Sequence, residues 1–201
     1  MKKTTFASIL ALVLLLSACG NYQFKPSISY EVSSFTATDH RGETVTRDSL
    51  KGEPWLTLFI FTKCTSTCSP MTYNMKLVQD ELVKLGVEDY KIVPFSIDPQ
   101  NDTPEELTKY LDRHEPADAS KWHMLTGYDQ TFIEQFGLNS FKTLIKKSES
   151  SDQVLHMSKF YLVDENGIAV KDYDGYSQTE GGVPYATIAA DLKALLDKKQ
   201  Q

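Results

Sequence analysis

The chain alternates between short apolar runs and amphipathic stretches, and that alternation sets out most of its elements. In residues 33–50, Phe35 and Ala37 alternate with polar residues, Asp39-His40-Arg41-Gly42 reads as a turn, and Thr44-Val45-Thr46 returns, which predicts a β-hairpin. "WLTLFIF", residues 55–61, is nearly continuous in apolar residues, as expected for a strand buried on both faces. Beyond it Met71, Met75, Val78, Leu82 and Leu85 recur at helical spacing, with Pro70 in the first turn and Gly86 as the stop. "KIVPFSI", residues 91–97, predicts a second buried strand in spite of Pro94. Thr103, Pro104 and Glu106 form a capping box that opens a helix whose Leu107, Leu111 and His114 share a face.

Further on, "WHMLTG" at 122–127 predicts a short strand and 129–136 a short helix, while the polar residues 139–153 read as an irregular loop. "FYLV" at 160–163 is a strand that turns through Glu165-Asn166-Gly167 into 168–170. A last helix over about 184–198 buries Ile188, Leu192 and Leu195. Strands and helices that alternate, then a hairpin and a helix, predict an α/β fold. A buried strand that runs through a cysteine pair into a helix is the layout of the thioredoxin-like fold. The expected architecture is therefore a central mixed β-sheet flanked by helices, with an N-terminal β-hairpin.

The first residues belong to a different pattern. Lys2 and Lys3 precede a mainly apolar run from Phe6 to Leu16, too short for the ~20 residues that span a bilayer. It fits a signal peptide. Leu16-Ser17-Ala18-Cys19 resembles a bacterial lipobox, which implies cleavage before Cys19 and a lipid on its sulfur. The expected organisation is a signal peptide over 1–18, a lipidated tether over 19–31 and one domain over 32–198. Cell-membrane anchoring through lipid, with the domain on the extracytoplasmic face, follows.

Charge narrows the partners. Removing residues 1–18, which hold two lysines and no acid, leaves 19 basic and 27 acidic residues, net −8. No basic cluster lines a helix or loop, which argues against nucleic acid. Export places the thiols where a close pair tends to oxidise to a disulfide bond.

That pair is Cys64 and Cys68 in "FTKCTSTCSP". As a staple it would close a very short loop, for ~2 kcal/mol against ~4.7 for a hundred-residue one. A redox-active pair or two ligands of a soft metal fit better. Residues i and i+4 on one helical turn have Cβ atoms ~5–6 Å apart, wider than a relaxed disulfide but right for sulfurs that converge on an ion. Thioredoxin-type pairs have two intervening residues, and this pair has three. Among the histidines, His40, His114 and His123 lie where structural roles are expected. His156 precedes the "FYLV" strand, and in a thioredoxin fold that loop lies against the helix N-terminus. Two thiolates and an imidazole suit Cu(I), and also Cu(II). Of the nearby thioethers, Met71 and Met75 read as core and Met157 stands beside the site.

"FTKCTSTCSPM", "SIDPQNDTPEEL", "WHMLTG" and "HMSKFYLVDENG" together resemble the Sco/SenC family of copper proteins, which serve cytochrome c oxidase assembly. The resemblance covers about residues 32–196. It implies that Cys64, Cys68 and His156 hold one copper ion per chain, and that Asp98 and Asp102 carry the family's acidic motif. Asp98 would orient a ligand or partner, and Asp102 would do the same or cap the following helix. Many members have proline directly after each cysteine, where this chain has Thr65 and Ser69. The implied function is a membrane-anchored metallochaperone, a monomer, for the CuA-bearing subunit of the oxidase. The alternative is a thiol–disulfide oxidoreductase that keeps the CuA-site cysteines reduced.

Overall fold

The structure, a computed structural model, describes residues 22–179 and 181–199. The expected signal peptide and Cys19 lie outside the described residues.

The sheet is organised around β4 (Trp55–Ile60), whose six residues are all buried. On one side β10 (Lys159–Val163) pairs with it antiparallel, Phe160 opposite Leu58 and Val163 opposite Trp55. On the other side run two parallel pieces, β5 (Lys91–Ile92) and β6 (Phe95–Ser96). Leu56 faces Ile92 and Phe59 faces Phe95, so both pieces keep one register. Val93 donates to the Leu56 carbonyl at 2.8 Å and Leu125 donates to the Pro94 carbonyl at 2.8 Å. Pro94 thus removes a donor without shifting the strand.

Outward from β10 lie β11 (Ile168–Asp174) and then β1 (Tyr30–Glu31), both antiparallel to their neighbours. Outward from β6 lie β7 (Leu125–Thr126) and the expected hairpin, β2 (Thr36–Asp39) and β3 (Thr44–Thr46). Gly42 takes the left-handed φ of +83° that this turn requires.

Four helices among the described residues complete the layers: α1 (Cys68–Lys84), α2 (Pro104–Asp112), α3 (Gln130–Phe141) and α4 (Tyr185–Lys199). Successive strand side chains point to opposite faces, so β4 feeds two cores. Trp55 and Phe59 meet Phe95, Phe141 and Tyr161 with ring centroids 5.6–6.5 Å apart. Leu56, Leu58 and Ile60 lie on the opposite face. Helices α1 and α4 pack against each other, and Met71, Met75, Val78 and Leu82 of α1 are fully buried. Leu85 is not: at the end of the helix it is 44% exposed, beyond the reach of the core.

Three expectations change. The helix expected over 129–136 continues to Phe141, because Phe136 and Phe141 extend its buried face. The segment 139–153 is not irregular, since β8 (Lys146–Lys147) and β9 (Val154–Leu155) pair antiparallel within and just beyond it. The domain also starts well before residue 32. Phe24 is buried, Ser27 and Ile28 donate to the Val170 carbonyl at 3.0 and 3.2 Å, and β1 pairs with β11. Residues 22–31 lie on the domain as an edge strand and its lead-in, not as a free tether.

Candidate metal centre

Strand β4 ends at Ile60, and a tight turn brings the Cys64 amide to the Phe61 carbonyl at 3.3 Å. Helix α1 opens at Cys68. The two cysteines therefore do not share a helical turn: Cys64 precedes the helix and Cys68 is its first residue. The unpaired N–H groups of a first turn need acceptors. One of them, the Cys68 amide, points at Cys64 Sγ at 3.4 Å.

Both thiols are free, and they divide one proton between them. Hydrogen bonding from the Cys68 thiol, aided by His156 and by the backbone N–H groups of Ser66 and Cys68, pulls the Cys64 thiol down to about 3, against the effect of burial. Hydrogen bonding to Cys64, then burial, pushes the Cys68 thiol far up. Cys64 is a partly exposed thiolate and Cys68 a buried thiol.

His156 follows β9 by one residue. Its Nδ1 lies 3.1 Å from the Met157 carbonyl, an acceptor only, so Nδ1 carries a hydrogen and Nε2 is the nitrogen turned to the thiols. Nε2 lies 3.6 Å from Cys68 Sγ. Two donors on one tetrahedral ion, with bonds near 2.3 and 2.0 Å, would stand ~3.5 Å apart. The Phe61 ring packs edge-on to the imidazole at 6.3 Å. Among the described residues no three His, Cys, Asp or Glu side chains already close around a point at metal-binding distance. The trio is gathered, with the buried Cys68 and the half-buried His156 near ligand spacing and the half-buried Cys64 at its edge.

The acidic residues take different places. Asp98, fully buried, holds Lys147 of β8 at 2.6 Å and accepts from Asn101 at 2.7 Å. Asp102 does not cap α2: the Thr103 side chain does that, accepting from the Glu106 amide. Asp102 accepts instead from the Thr62 hydroxyl at 2.6 Å and the Ser96 hydroxyl at 2.5 Å, and burial pushes its carboxyl up. It ties the turn that carries Cys64 to the end of β6. Met157 meets His156 through its carbonyl, while its side chain lines a small cavity with Tyr30, Phe141 and Tyr161.

Contacts that the sequence does not announce complete the support. Gln153 donates to the Lys63 carbonyl at 3.3 Å and Asp152 pairs with Lys63 at 3.5 Å. The β8–β9 hairpin thus grips the Cys64 turn while it presents His156. His40 and His123 are structural: His40 accepts from the Met124 amide and His123 pairs with Asp39. His114 differs from them. Its Nδ1 donates to the Tyr110 carbonyl at 2.8 Å, and its Nε2 accepts from the Ser69 hydroxyl at 3.0 Å. It lines a cleft beside Cys64. No helix among the described residues is long and apolar enough to cross a membrane.

The fold and site define a thioredoxin-like α/β protein with a thiolate–thiol pair at a helix N-terminus and an imidazole facing it. The chain belongs to the SCO1/SenC family, whose family model matches residues 25–196. It is 45% identical over 181 residues to the SCO1 protein homolog of Bacillus subtilis, covering 90% of this chain and 91% of that protein. Solved relatives superpose closely. A SCO1/SenC family lipoprotein from Bacillus anthracis gives a TM-score of 0.79 at 35% identity, over 86% of this chain and 98% of that one. BsSco, described with a disulfide switch and as a member of the Sco family of cytochrome c oxidase assembly proteins, gives 0.76 at 43%, over 87% and 98%. Bradyrhizobium japonicum ScoI with copper bound gives 0.66 at 27%, over 81% and 98%.

Proposed function

We propose that this chain is a membrane-anchored copper metallochaperone for assembly of the CuA centre of cytochrome c oxidase. The observation that carries the reading is the donor set, Cys68 Sγ and His156 Nε2 3.6 Å apart beside the Cys64 thiolate. Copper, as Cu(I) or Cu(II), is cargo, one ion per chain. Cys64 enters as a thiolate, Cys68 gives up its proton on loading, and His156 offers an Nε2 lone pair fixed by the Met157 carbonyl. Asp98 and Asp102 position these groups without touching the ion. The copper-bound relative supports the metal. The relative named a lipoprotein, with the lipobox at Cys19, supports the anchor on the outer face of the cell membrane. Tethering both proteins to one membrane raises their effective concentration.

The test is Cu(II) titration of His156→Ala. Affinity should fall by more than the ~10–100-fold that loss of a supporting residue costs, with the circular dichroism of the fold unchanged. Wild-type affinity in that variant overturns the assignment.

The split between thiolate and thiol also favours a second reading, thiol–disulfide oxidoreductase. Cys64 would attack a disulfide between the CuA-site cysteines, forming a mixed disulfide and releasing one target thiolate. Cys68, giving its proton to that thiolate or to water, would then attack Cys64 Sγ and release the second. The target gains two electrons and the pair becomes a disulfide. Reduced, metal-free protein mixed with an oxidised CuA domain separates the readings. Rapid disulfide transfer supports the reductase, and copper handover from the loaded form without such transfer supports the chaperone.

A further inference from the structure

We infer that the open cleft between the start of α1 and the end of α2 is the docking groove for an extended, acidic segment of the protein that receives copper. The inference rests on the metallochaperone reading and adds the route by which the recipient arrives. The cleft measures about 760 Å³ and has Cys64 in its wall. Cys68 is fully buried and His156 is not among the lining residues. A segment in the cleft therefore meets Cys64 first, while Cys68 stays buried behind it and the half-buried His156 lies outside the cleft. Exchange would begin at Cys64.

The chemistry of the banks selects the occupant. Lys76 stands on the α1 side and Arg113 at the end of α2. Arg113 has no carboxylate partner among the described residues and lies 5.7 Å over the Tyr110 ring, while Lys76 meets Asp80 at 3.5 Å and lies 5.9 Å over the Tyr73 ring. One acid, Glu115, lines the cleft. On a chain of net charge −6 this is a locally basic strip, complementary to carboxylates. Tyr73, also in the lining, is 52% exposed. Exposed tyrosine beside arginine is the composition that anchors interfaces.

The floor is also preformed. The Ser69 hydroxyl donates to His114 at 3.0 Å, and Thr72 and Tyr110 hydroxyls meet at 2.9 Å. These bonds tie α1 to α2 across the base of the groove, so little ordering cost remains for a partner.

Fluorescence anisotropy of the full-length chain in detergent tests the groove with two probes. One is the soluble CuA domain of cytochrome c oxidase, and the other is a labelled decapeptide of glutamate, aspartate and one tyrosine. Both should bind more weakly as salt rises. Arg113→Glu combined with Tyr73→Ser should weaken both by about tenfold or more, while Cu(II) titration stays at the wild-type value. Wild-type affinity for both probes in that variant overturns the groove and leaves the metallochaperone reading standing. So does a loss of CuA-domain binding in Leu155→Asp, on the exposed rim beside His156, without a loss in the groove variant. If the wild type does not bind the CuA domain, the recipient named above is wrong and the peptide decides: binding lost in the groove variant upholds the basic groove, and no binding overturns it.

Discussion

Thr62 and Asp102 are joined twice, the Thr62 hydroxyl and amide both donating to one carboxylate oxygen at 2.6 and 3.1 Å. The other oxygen takes the Ser96 hydroxyl. This fixes the turn two residues before Cys64 to the end of β6, so the thiolate is held by the sheet and not by the turn alone. Asp102→Ala would leave the part-buried Thr62 amide and hydroxyl and the buried Ser96 hydroxyl without this acceptor, at about 1–3 kcal/mol. The expected result is a lower denaturation midpoint together with faster alkylation of Cys64. Asp102→Asn keeps the shape and an acceptor for Thr62, and should recover most of both. A stability loss with unchanged Cys64 reactivity would show that the tie serves the fold alone.

The thiolate itself gives a pH dependence. An unfolded cysteine titrates near 9.0, and Cys64 in the fold at about 3. The folded state therefore binds fewer protons between these values. The stability contributed by the thiolate is complete above the unfolded value and is lost as pH falls through the folded one. Iodoacetamide labelling of reduced, metal-free protein should modify Cys64 at a rate nearly flat from about pH 5 to about pH 8, and leave Cys68 untouched. Mass spectrometry of the labelled peptide reads the outcome. Equal labelling of both cysteines, or a rate that climbs steeply with pH, would contradict the division of the proton.

Local signals in the sequence account for much of this. The apolar run at 55–61 and the Thr103 cap are local in cause; the strand stands over Trp55–Ile60, one residue shorter than the run, and the cap where the sequence puts it. The approach of His156 to the cysteines was legible because a thioredoxin layout places that loop at the helix N-terminus. What the sequence hides is long-range and polar. Lys147 and Gln153 sit in a run without apolar periodicity, and their partners Asp98 and Lys63 are remote in sequence. Asp102 looks like a cap because its neighbours are capping residues, yet its bonds go forty residues back to Thr62. His114 sits on an apolar helical face in sequence but turns to Ser69 at the cleft.

The early start of the domain has a stability consequence. Phe24 is 6% exposed, and the Tyr22 hydroxyl donates to Asp191 at 2.6 Å, a bond that pushes the Tyr22 phenol up to about 12. Asp191 is buried and also takes Tyr173 and Lys171. A chain begun at residue 32 would lose the burial of Phe24, about 1.5–3 kcal/mol, and the pairing of β1. It should melt lower than a chain begun at residue 22 by about 2–4 °C for each kcal/mol. Equal melting temperatures would return residues 22–31 to the role of a free tether.

The pair of Asp98 and Lys147 bears most directly on His156. Lys147 lies in β8, paired opposite Val154, and β9 leads straight into His156. Its ammonium meets the buried Asp98 carboxylate at 2.6 Å, and its amide donates to Glu134 at 3.2 Å. The hairpin is thus fastened to the end of β6 on one side and, through Gln153, to the Cys64 turn on the other. Lys147→Met leaves Asp98 with a neutral donor, Asn101. Breaking a buried ion pair costs about 3–5 kcal/mol, and with Lys147 partly exposed about 2 is expected here. If the hairpin positions the imidazole, Cu(II) affinity in Lys147→Met should fall about 10–100-fold, although residue 147 touches no donor. Asp98→Asn together with Lys147→Gln removes the stranded charge, so it should regain stability first and copper affinity only as far as the hairpin reseats. A variant that loses stability while its copper affinity holds would mean that the ion pair secures the sheet edge and leaves His156 to its own loop.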